Sequence, residues 1–369
     1  MKKFLFFALI SWQLTQAQST INDTITVDGL ERNFILYVPA SYDGTSPVPL
    51  VINLHGYGSD APQQALYGNF RNLADVDNFL IVQPNGTFDL SGTRYWNAFV
   101  NSGAVDDVNF ISELIDSLSE DYNIDQSKVF STGMSNGGFM SYKLACELSG
   151  KIAKIASVTG SMNTMLENTC NPGKAVPVMQ IHGTADPTVA YNGSIGVMAI
   201  EDVVDFWVNN NNCNPTPLTS SLPDINTADN STVQRFVYTG GDNNSEVIFY
   251  KITNGGHTWP DAFFDIPAGN TNKDFNASQV IWEFFKGAPF VGIKDQISSE
   301  AVQVILKGNT LQIELSQDLH LVKASLYNAL GQIHIESKST SLNFDNAASG
   351  LYFLVIQTKE GNYYQSLAR

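Results

Sequence analysis

Lys128-Val129-Phe130-Ser131-Thr132-Gly133-Met134-Ser135-Asn136-Gly137-Gly138-Phe139 is the stretch whose reading decides the fold. Lys128 to Thr132 has the short, strand-forming character of a buried β-strand, and a helical segment follows from Phe139. Between them stands Gly133-Met134-Ser135-Asn136-Gly137, the only Gly-x-Ser-x-Gly in the chain. A strand that turns into a helix this abruptly leaves no room for side chains two positions either side of the serine, because they would strike neighbouring strands. Glycine at 133 and 137 therefore predicts a nucleophile turn that presents Ser135 at the carboxyl edge of a sheet. The competing reading is a Gly/Ser turn without chemistry.

A serine hydroxyl is a poor nucleophile near neutral pH unless an imidazole takes its proton. The chain has five histidines. His320 and His334 fall in the β-rich C-terminal part, and His55 and His182 lie at or just past strand ends. His257 stands in Asn254-Gly255-Gly256-His257-Thr258-Trp259-Pro260, a glycine-rich loop directly after the last strand of the alternating region. Catalytic loops converge at the carboxyl ends of the strands in a doubly wound sheet, so His257 is the expected base. The carboxylate that orients it should follow a strand between the serine and the histidine. Asp186 does so, in His182-Gly183-Thr184-Ala185-Asp186-Pro187. Asp106 and Asp107 compete for the role, but they precede the serine and read as the first turn of a helix. His55-Gly56-Tyr57-Gly58 follows the strand Val48 to Leu54, where such a fold places an oxyanion donor. The expected donors are the amides of Tyr57 and Asn136, with His55 as a structural hydrogen-bonding residue.

Periodicity supplies the rest of the fold. Thr24 to Val27 and Arg32 to Val38 flank Asp28-Gly29, a hairpin signal. Phe79 to Val82, Ala153 to Val158, Pro177 to Ile181 and Glu246 to Ile252 are further short apolar runs. Amphipathic segments alternate with them, most clearly Asp106 to Tyr122, where Val108, Ile111, Leu114, Ile115 and Leu118 recur at helical spacing. Gln279 to Phe285 reads as another. Alternation of this kind predicts an α/β fold with a mostly parallel, doubly wound sheet covered on both faces. The Asn-rich stretch Asn209 to Asn214 and the loops Asp224 to Ser231 and Gly240 to Ser245 read as solvated connectors, with calcium binding the rival reading.

After about Phe290 the pattern changes to alternating strands separated by Gly, Asn and Ser turns, which predicts a small β-sandwich. The expected organisation is a leader over residues 1–17, a catalytic domain over 18–290, a linker over 291–297 and a β-sandwich over 298–369. The chain has 369 residues and a formal charge of -16, from 36 acidic against 20 basic residues. The sandwich is nearly neutral, so the acidity belongs to the catalytic domain. This balance argues against nucleic acid as a partner and against a polybasic membrane contact.

Lys2 and Lys3, the apolar run Phe4 to Ile10 and Thr15-Gln16-Ala17 form a secretory signal pattern, with cleavage expected after Ala17. The run is much shorter than the roughly 20 residues of a spanning helix, so no stable membrane span is expected. Cys146, Cys170 and Cys213 would then meet an oxidising compartment. None has metal-ligand spacing, Cys146 reads as a buried small hydrophobe, and a bridge between Cys170 and Cys213 is the expectation.

Leu54-His55-Gly56-Tyr57-Gly58, Gly133-Met134-Ser135-Asn136-Gly137-Gly138, His182-Gly183-Thr184-Ala185-Asp186 and Gly255-Gly256-His257-Thr258-Trp259-Pro260 together resemble a known group. They are similar to the secreted α/β-hydrolase esterases called polyhydroxybutyrate depolymerase-like and feruloyl esterase enzymes of carbohydrate esterase family one. The resemblance spans most of residues 20 to 287 and implies a Ser135, His257 and Asp186 triad, without a metal or cofactor. Depolymerases of this kind often carry Cys where this chain has Tyr57, whereas Gly-Tyr-Gly is more frequent on the feruloyl esterase side. Tyr327-Asn328-Ala329-Leu330-Gly331-Gln332 and Ser349-Gly350-Leu351-Tyr352-Phe353 resemble the C-terminal sorting domain of the type IX secretion system. That implies its secretion machinery as a partner and an extracellular or cell-surface location. The ending Ser366-Leu367-Ala368-Arg369 is less basic than usual for such tails. A carbohydrate-binding module is the rival reading of this domain.

The short connection before Pro177 leaves no room for a large lid. An open site suits an acyl group on a bulky polymer, which makes an ester-bearing polysaccharide or polyester the expected substrate. Trp96, in Arg94-Tyr95-Trp96-Asn97, and Trp259 are candidate walls for an aromatic acyl group or a sugar ring; for Trp96, plain core packing is an equal alternative. A serine peptidase and a catalytically inert surface-binding protein are the remaining alternatives.

Overall fold

The computed structural model describes residues 18–99, 105–262, 268–287, 302–307, 310–316, 318–328, 333–343, 351–358 and 362–368. The expected leader at 1–17 and linker at 291–297 lie outside the described residues, as do the turn positions 329–332 and 349–350. The chain divides into two compact units, Met1–Gly287 and Ala288–Arg369.

The first unit opens with the antiparallel hairpin of β1 (Ser19–Val27) and β2 (Leu30–Val38). Asp28 and Gly29 both take positive φ, 52° and 75°, the backbone twist that a two-residue hairpin turn requires. Next come β3 (Val48–Leu54), α1 (Ala61–Tyr67), α2 (Arg71–Asp77), β4 (Leu80–Pro84) and the small ribbon of β5 (Thr87–Phe88) with β6 (Arg94–Tyr95). They are followed by α3 (Asp107–Asp121), β7 (Ile124–Met134), α4 (Asn136–Glu147), β8 (Lys154–Val158) and α5 (Thr164–Thr169). The unit ends with β9 (Val178–Gly183), α6 (Ile200–Asn210), β10 (Leu218–Ser221), β11 (Thr232–Tyr238), β12 (Val247–Thr253) and α7 (Ala277–Phe285).

Ten of these strands form one sheet in the order β1-β2-β4-β3-β7-β8-β9-β12-β11-β10. The six from β4 to β12 are parallel, and antiparallel strands extend both edges. Leu50, Val51, Ile52 and Leu54 of β3 have no solvent exposure, as a parallel strand covered on both faces demands. The Asp106 carboxylate caps α3 by accepting from Asn109 N–H at 3.0 Å. Asp107 is buried and paired with Arg32 at 2.7 Å, and burial pushes its carboxyl above the usual range against that pairing. Both rival acids therefore act within the start of α3.

The expected Cys170 to Cys213 bridge is not formed. Cys146, at the end of α4, is bonded to Cys170, the residue after α5, with Cα atoms 4.9 Å apart. The short connection after β8 brings α5 to the end of α4. Cys213 lies beyond α6 as a buried free thiol, its Sγ 3.8 Å from the Ser245 carbonyl oxygen.

In the second unit, β13 (Val302–Lys307), β14 (Thr310–Leu315) and β17 (Ser341–Asn343) form one antiparallel sheet. A second comprises β15 (Leu321–Asn328), β16 (Ile333–Ser337), β18 (Leu351–Thr358) and β19 (Asn362–Ala368). Leu311, Ile313 and Leu342 from the first sheet share a core with Leu326, Leu354 and Ile356 from the second, which makes the unit a sandwich.

Candidate active site

Ser135 sits between the end of β7 and the first residue of α4, with φ 54° and ψ -120°. That conformation is strained for a residue bearing a Cβ, and the neighbouring glycines permit it. A Cβ on Gly137 would overlap the Leu54 carbonyl oxygen of β3, and one on Gly133 would come within 2.7 Å of the same atom. The turn is anchored by Ser135 N–H donating to Val158 O at 2.8 Å, while the Ser135 carbonyl accepts from Phe139 N–H at 3.0 Å. Ser135 Oγ makes no hydrogen bond among the described residues and opens into a cavity of about 270 Å³.

Asp186 follows β9 and His257 follows β12, neighbours in the sheet. The two loops are joined by Ala185 N–H donating to Gly255 O at 3.0 Å, and a Cβ on Gly183 would overlap that same carbonyl group. Asp186 Oδ1 accepts from the Thr188 and Val189 amides at 2.8 and 2.9 Å, and Oδ2 accepts from His257 Nδ1 at 2.8 Å. With its proton held on Nδ1, the imidazole keeps Nε2 as a free acceptor. The structure thus brings Asp186 and His257 together. Ser135 stands at the same edge of the sheet, and no hydrogen bond joins it to His257 among the described residues.

The Tyr57 and Asn136 amides both lack a hydrogen-bond acceptor among the described residues. Asn136 is the first residue of α4, so its N–H lacks an intrahelical acceptor, and the Tyr57 N–H has no acceptor among the described residues. Both residues line the Ser135 cavity. A Cβ on Gly56 would lie 3.5 Å from Ser135 Cβ, so the Tyr57 loop passes directly beside the serine. That loop is tied to the β5–β6 ribbon: Gly58 N–H donates to Arg94 O at 2.8 Å, and the Tyr57 hydroxyl donates to Asp89 Oδ2 at 2.6 Å.

Trp96 and Trp259 do not line the cavity, and both are buried, at 0% and 1% exposure. Trp96 is a strut between His55, just past β3, and Asn136, the first residue of α4. Its backbone N–H donates to Asn136 Oδ1 at 2.6 Å, its carbonyl accepts from Asn136 Nδ2 at 3.1 Å, and its indole N–H donates to His55 O at 3.0 Å. Trp259 points into the core, with its indole N–H on Ser278 Oγ at 3.2 Å and its ring edge-on to Phe70. A substrate wall needs an exposed face, which neither ring has. The apolar residues that line the Ser135 cavity are instead Phe99, Phe139, Val189 and Val197. Phe99 and Phe139 pack with ring centroids 4.9 Å apart. The position of Phe139, one helical turn after the serine, could have signalled its place; nothing in the pattern around Phe99 does.

His55 and His182 are both fully buried. His55 Nδ1 donates to Gly56 O at 2.8 Å and Nε2 accepts from Gly86 N–H at 2.9 Å, an arrangement that fixes a neutral ring. Burial pushes the pKa of each down to about 4. Among the described residues no group of three or more His, Cys, Asp or Glu side chains is placed to hold a metal ion, and no helix is long and apolar enough to cross a membrane.

Residues 43–239, more than half of the chain, match the family model described as phospholipase/carboxylesterase. The chain belongs to this family, and it is a carboxylic ester hydrolase. The matched segment contains Tyr57, Ser135 and Asp186. The esterase is 31% identical over 180 residues to a bifunctional acetylxylan esterase/xylanase of Neocallimastix patriciarum, covering 47% of this chain and 24% of that protein. It is 27% identical over 192 residues to feruloyl esterase C of Emericella nidulans, covering 51% of this chain and 64% of the relative. A match to feruloyl esterase D of Neurospora crassa, at 26% identity, covers 71% of this chain and 84% of the relative. The esterase therefore spans less than two thirds of the first two of these relatives. An acetyl xylan esterase from Aspergillus awamori shares the fold, with a TM-score of 0.52 at 16% identity over 73% of this chain and 99% of that one.

Proposed function

We propose that the chain is a secreted serine esterase that releases feruloyl or acetyl groups from polysaccharide, with Ser135 as nucleophile, His257 as base and Asp186 as its orienting carboxylate. The observation that carries this reading is the 2.8 Å bond between Asp186 Oδ2 and His257 Nδ1, made at the sheet edge where the Ser135 turn opens. As Ser135 Oγ attacks the ester carbonyl carbon, His257 Nε2 takes the hydroxyl proton and Asp186 stabilises the imidazolium that forms. The oxyanion accepts from the amides of Tyr57 and Asn136. Collapse breaks the ester C–O bond, and the sugar hydroxyl departs with the proton from His257. Water repeats the sequence on the acyl-enzyme, releasing the acid and restoring Ser135.

The Phe99 and Phe139 rings suit the flat face of an aromatic acyl group, and the names of the relatives favour feruloyl esters and acetyl esters of xylan. The leader pattern at residues 1–17 and the sorting-domain resemblance at 298–369 support export to the cell surface or beyond through type IX machinery. The test is to treat the chain lacking residues 1–17 with feruloylated and acetylated xylan, with polyhydroxybutyrate granules, and with a fluorophosphonate. Release of ferulate or acetate and labelling of Ser135 are expected. Clearing of granules without release from xylan would make it a polyester depolymerase. Labelling at another residue, or none, would overturn the assignment of the nucleophile.

A further inference from the structure

His182 is a buried histidine beside the proposed triad that the chemistry above leaves unused. It lies in β9, four residues before Asp186, and has no solvent exposure. Its Nε2 is 2.9 Å from the Val189 carbonyl oxygen and 3.3 Å from Asp186 Oδ2, while its Nδ1 is 3.1 Å from Gln180 Nε2. The tautomer follows from the partners. Gln180 Nε2 also donates to Gly160 O at 2.8 Å, and a carbonyl only accepts, so the amide cannot be flipped. Gln180 Oε1 accepts from the Tyr142 hydroxyl at 2.6 Å, which holds the amide from its other end. An amide nitrogen can only donate to His182 Nδ1, so the ring proton is on Nε2 and is donated to Val189 O.

The result is a buried polar chain from α4, the helix that begins next to Ser135, to the carboxylate that orients His257. Tyr142, Gln180 and His182 are all without exposure. Val189 links the chain to Asp186, because its own N–H donates to Asp186 Oδ1 at 2.9 Å. Burial keeps His182 neutral, with its pKa pushed down to about 4, so it offers a dipole that does not titrate in the working range of a serine esterase.

We infer that His182 is a positioning residue of the reaction: its neutral Nε2–H holds the Val189 carbonyl, and with it the loop whose Val189 N–H donates to Asp186 Oδ1, in register with His257, and Tyr142 and Gln180 set its tautomer. The inference rests on the Ser135, Asp186 and His257 assignment, so Ser135→Ala is included to separate the two. His182→Leu removes the donor at similar volume, His182→Gln keeps an amide N–H near Nε2, and Tyr142→Phe deletes the far end of the chain without touching Asp186. With p-nitrophenyl acetate, His182→Leu should lower kcat roughly 10- to 100-fold with KM changed by less than about two-fold. His182→Gln should recover part of that loss. Tyr142→Phe should lower kcat several-fold, and the double variant should lose little beyond His182→Leu alone, because both act through one chain. The downfield proton signal of the His257 to Asp186 hydrogen bond should shift in both single variants. Full kcat in folded His182→Leu, or losses that multiply in the double variant, would overturn the inference; should His182→Leu not fold, unchanged kcat and proton signal in Tyr142→Phe would do so. An active Ser135→Ala would instead refute the triad itself.

Discussion

His257 Nδ1 lies 2.8 Å from Asp186 Oδ2, and 71 residues of chain separate them. The contact depends on β9 and β12 being parallel neighbours whose loops leave the same edge of the sheet. In the proposed reaction it fixes which nitrogen carries the proton. Asp186→Asn keeps the shape but replaces an acceptor with an amide that can donate, which favours the wrong tautomer. We expect kcat for p-nitrophenyl acetate to fall by about 10⁴-fold while KM changes little and the fold is retained. Steady-state kinetics beside a circular dichroism spectrum checks this, and near-normal turnover would remove Asp186 from the site.

The turn at Ser135 is held by the absence of a side chain at Gly137. A methyl there would overlap the Leu54 carbonyl oxygen and lie 2.8 Å from His55 O, both backbone atoms of the β3 end. Backbone this close to a central strand cannot yield as a flexible side chain would. Gly137→Ala should destabilise the esterase by about 3 kcal/mol or more, or prevent folding. Gly150→Ala, where a Cβ meets nothing within 4 Å, is the control. The difference is read from urea unfolding midpoints, and equal midpoints would contradict the packing described.

The bridge from Cys146 to Cys170 closes a short loop, the two residues being 24 apart in sequence. Constraint of the unfolded chain by a loop of this size stabilises by about 3 kcal/mol. Cys146→Ala with Cys170→Ala should lower the unfolding midpoint accordingly, whereas Cys213→Ser should leave the bridge intact. Peptide mapping under non-reducing conditions should recover a 146 to 170 linkage. A linkage that includes Cys213 would refute the pairing.

The parallel strands were legible because each is covered on both faces and reads as an unbroken apolar run, as β3 does from Val48 to Leu54. The Ser135 turn was legible because its steric demand falls on two glycines. The edge strand β10 is not legible, since Leu218 to Ser221 is largely exposed and has no apolar pattern. Helix α6 buries Ile200, Val203, Val204, Trp207 and Val208, a helical spacing, but it runs into the Asn-rich stretch that reads as a connector. Distance along the chain misled for Trp259: it is two residues from His257, yet its indole turns into the core. Three cysteines could not disclose their pairing, because that depends on where the connection after β8 places α5.

The buried histidines give the esterase a defined acid sensitivity. His55 and His182 are fully buried and held neutral by their hydrogen bonds, with pKa values pushed down to about 4 chiefly by burial. In the unfolded chain each imidazole titrates near the ordinary value of 6.5. Between those values the unfolded state binds more protons than the folded state, so stability rises with pH across the window and is lost as pH falls from about 6.5 towards 4. Each group is worth about 3 kcal/mol over the full window, at about 1.4 kcal/mol per pH unit. His55→Gln removes one titrating group and should flatten the dependence of the unfolding midpoint on pH by about half of the histidine contribution, even though the lost ring contacts lower stability at pH 8. Urea unfolding from pH 8 to 4 measures both effects, and an unchanged slope in the variant would show that His55 does not carry the sensitivity.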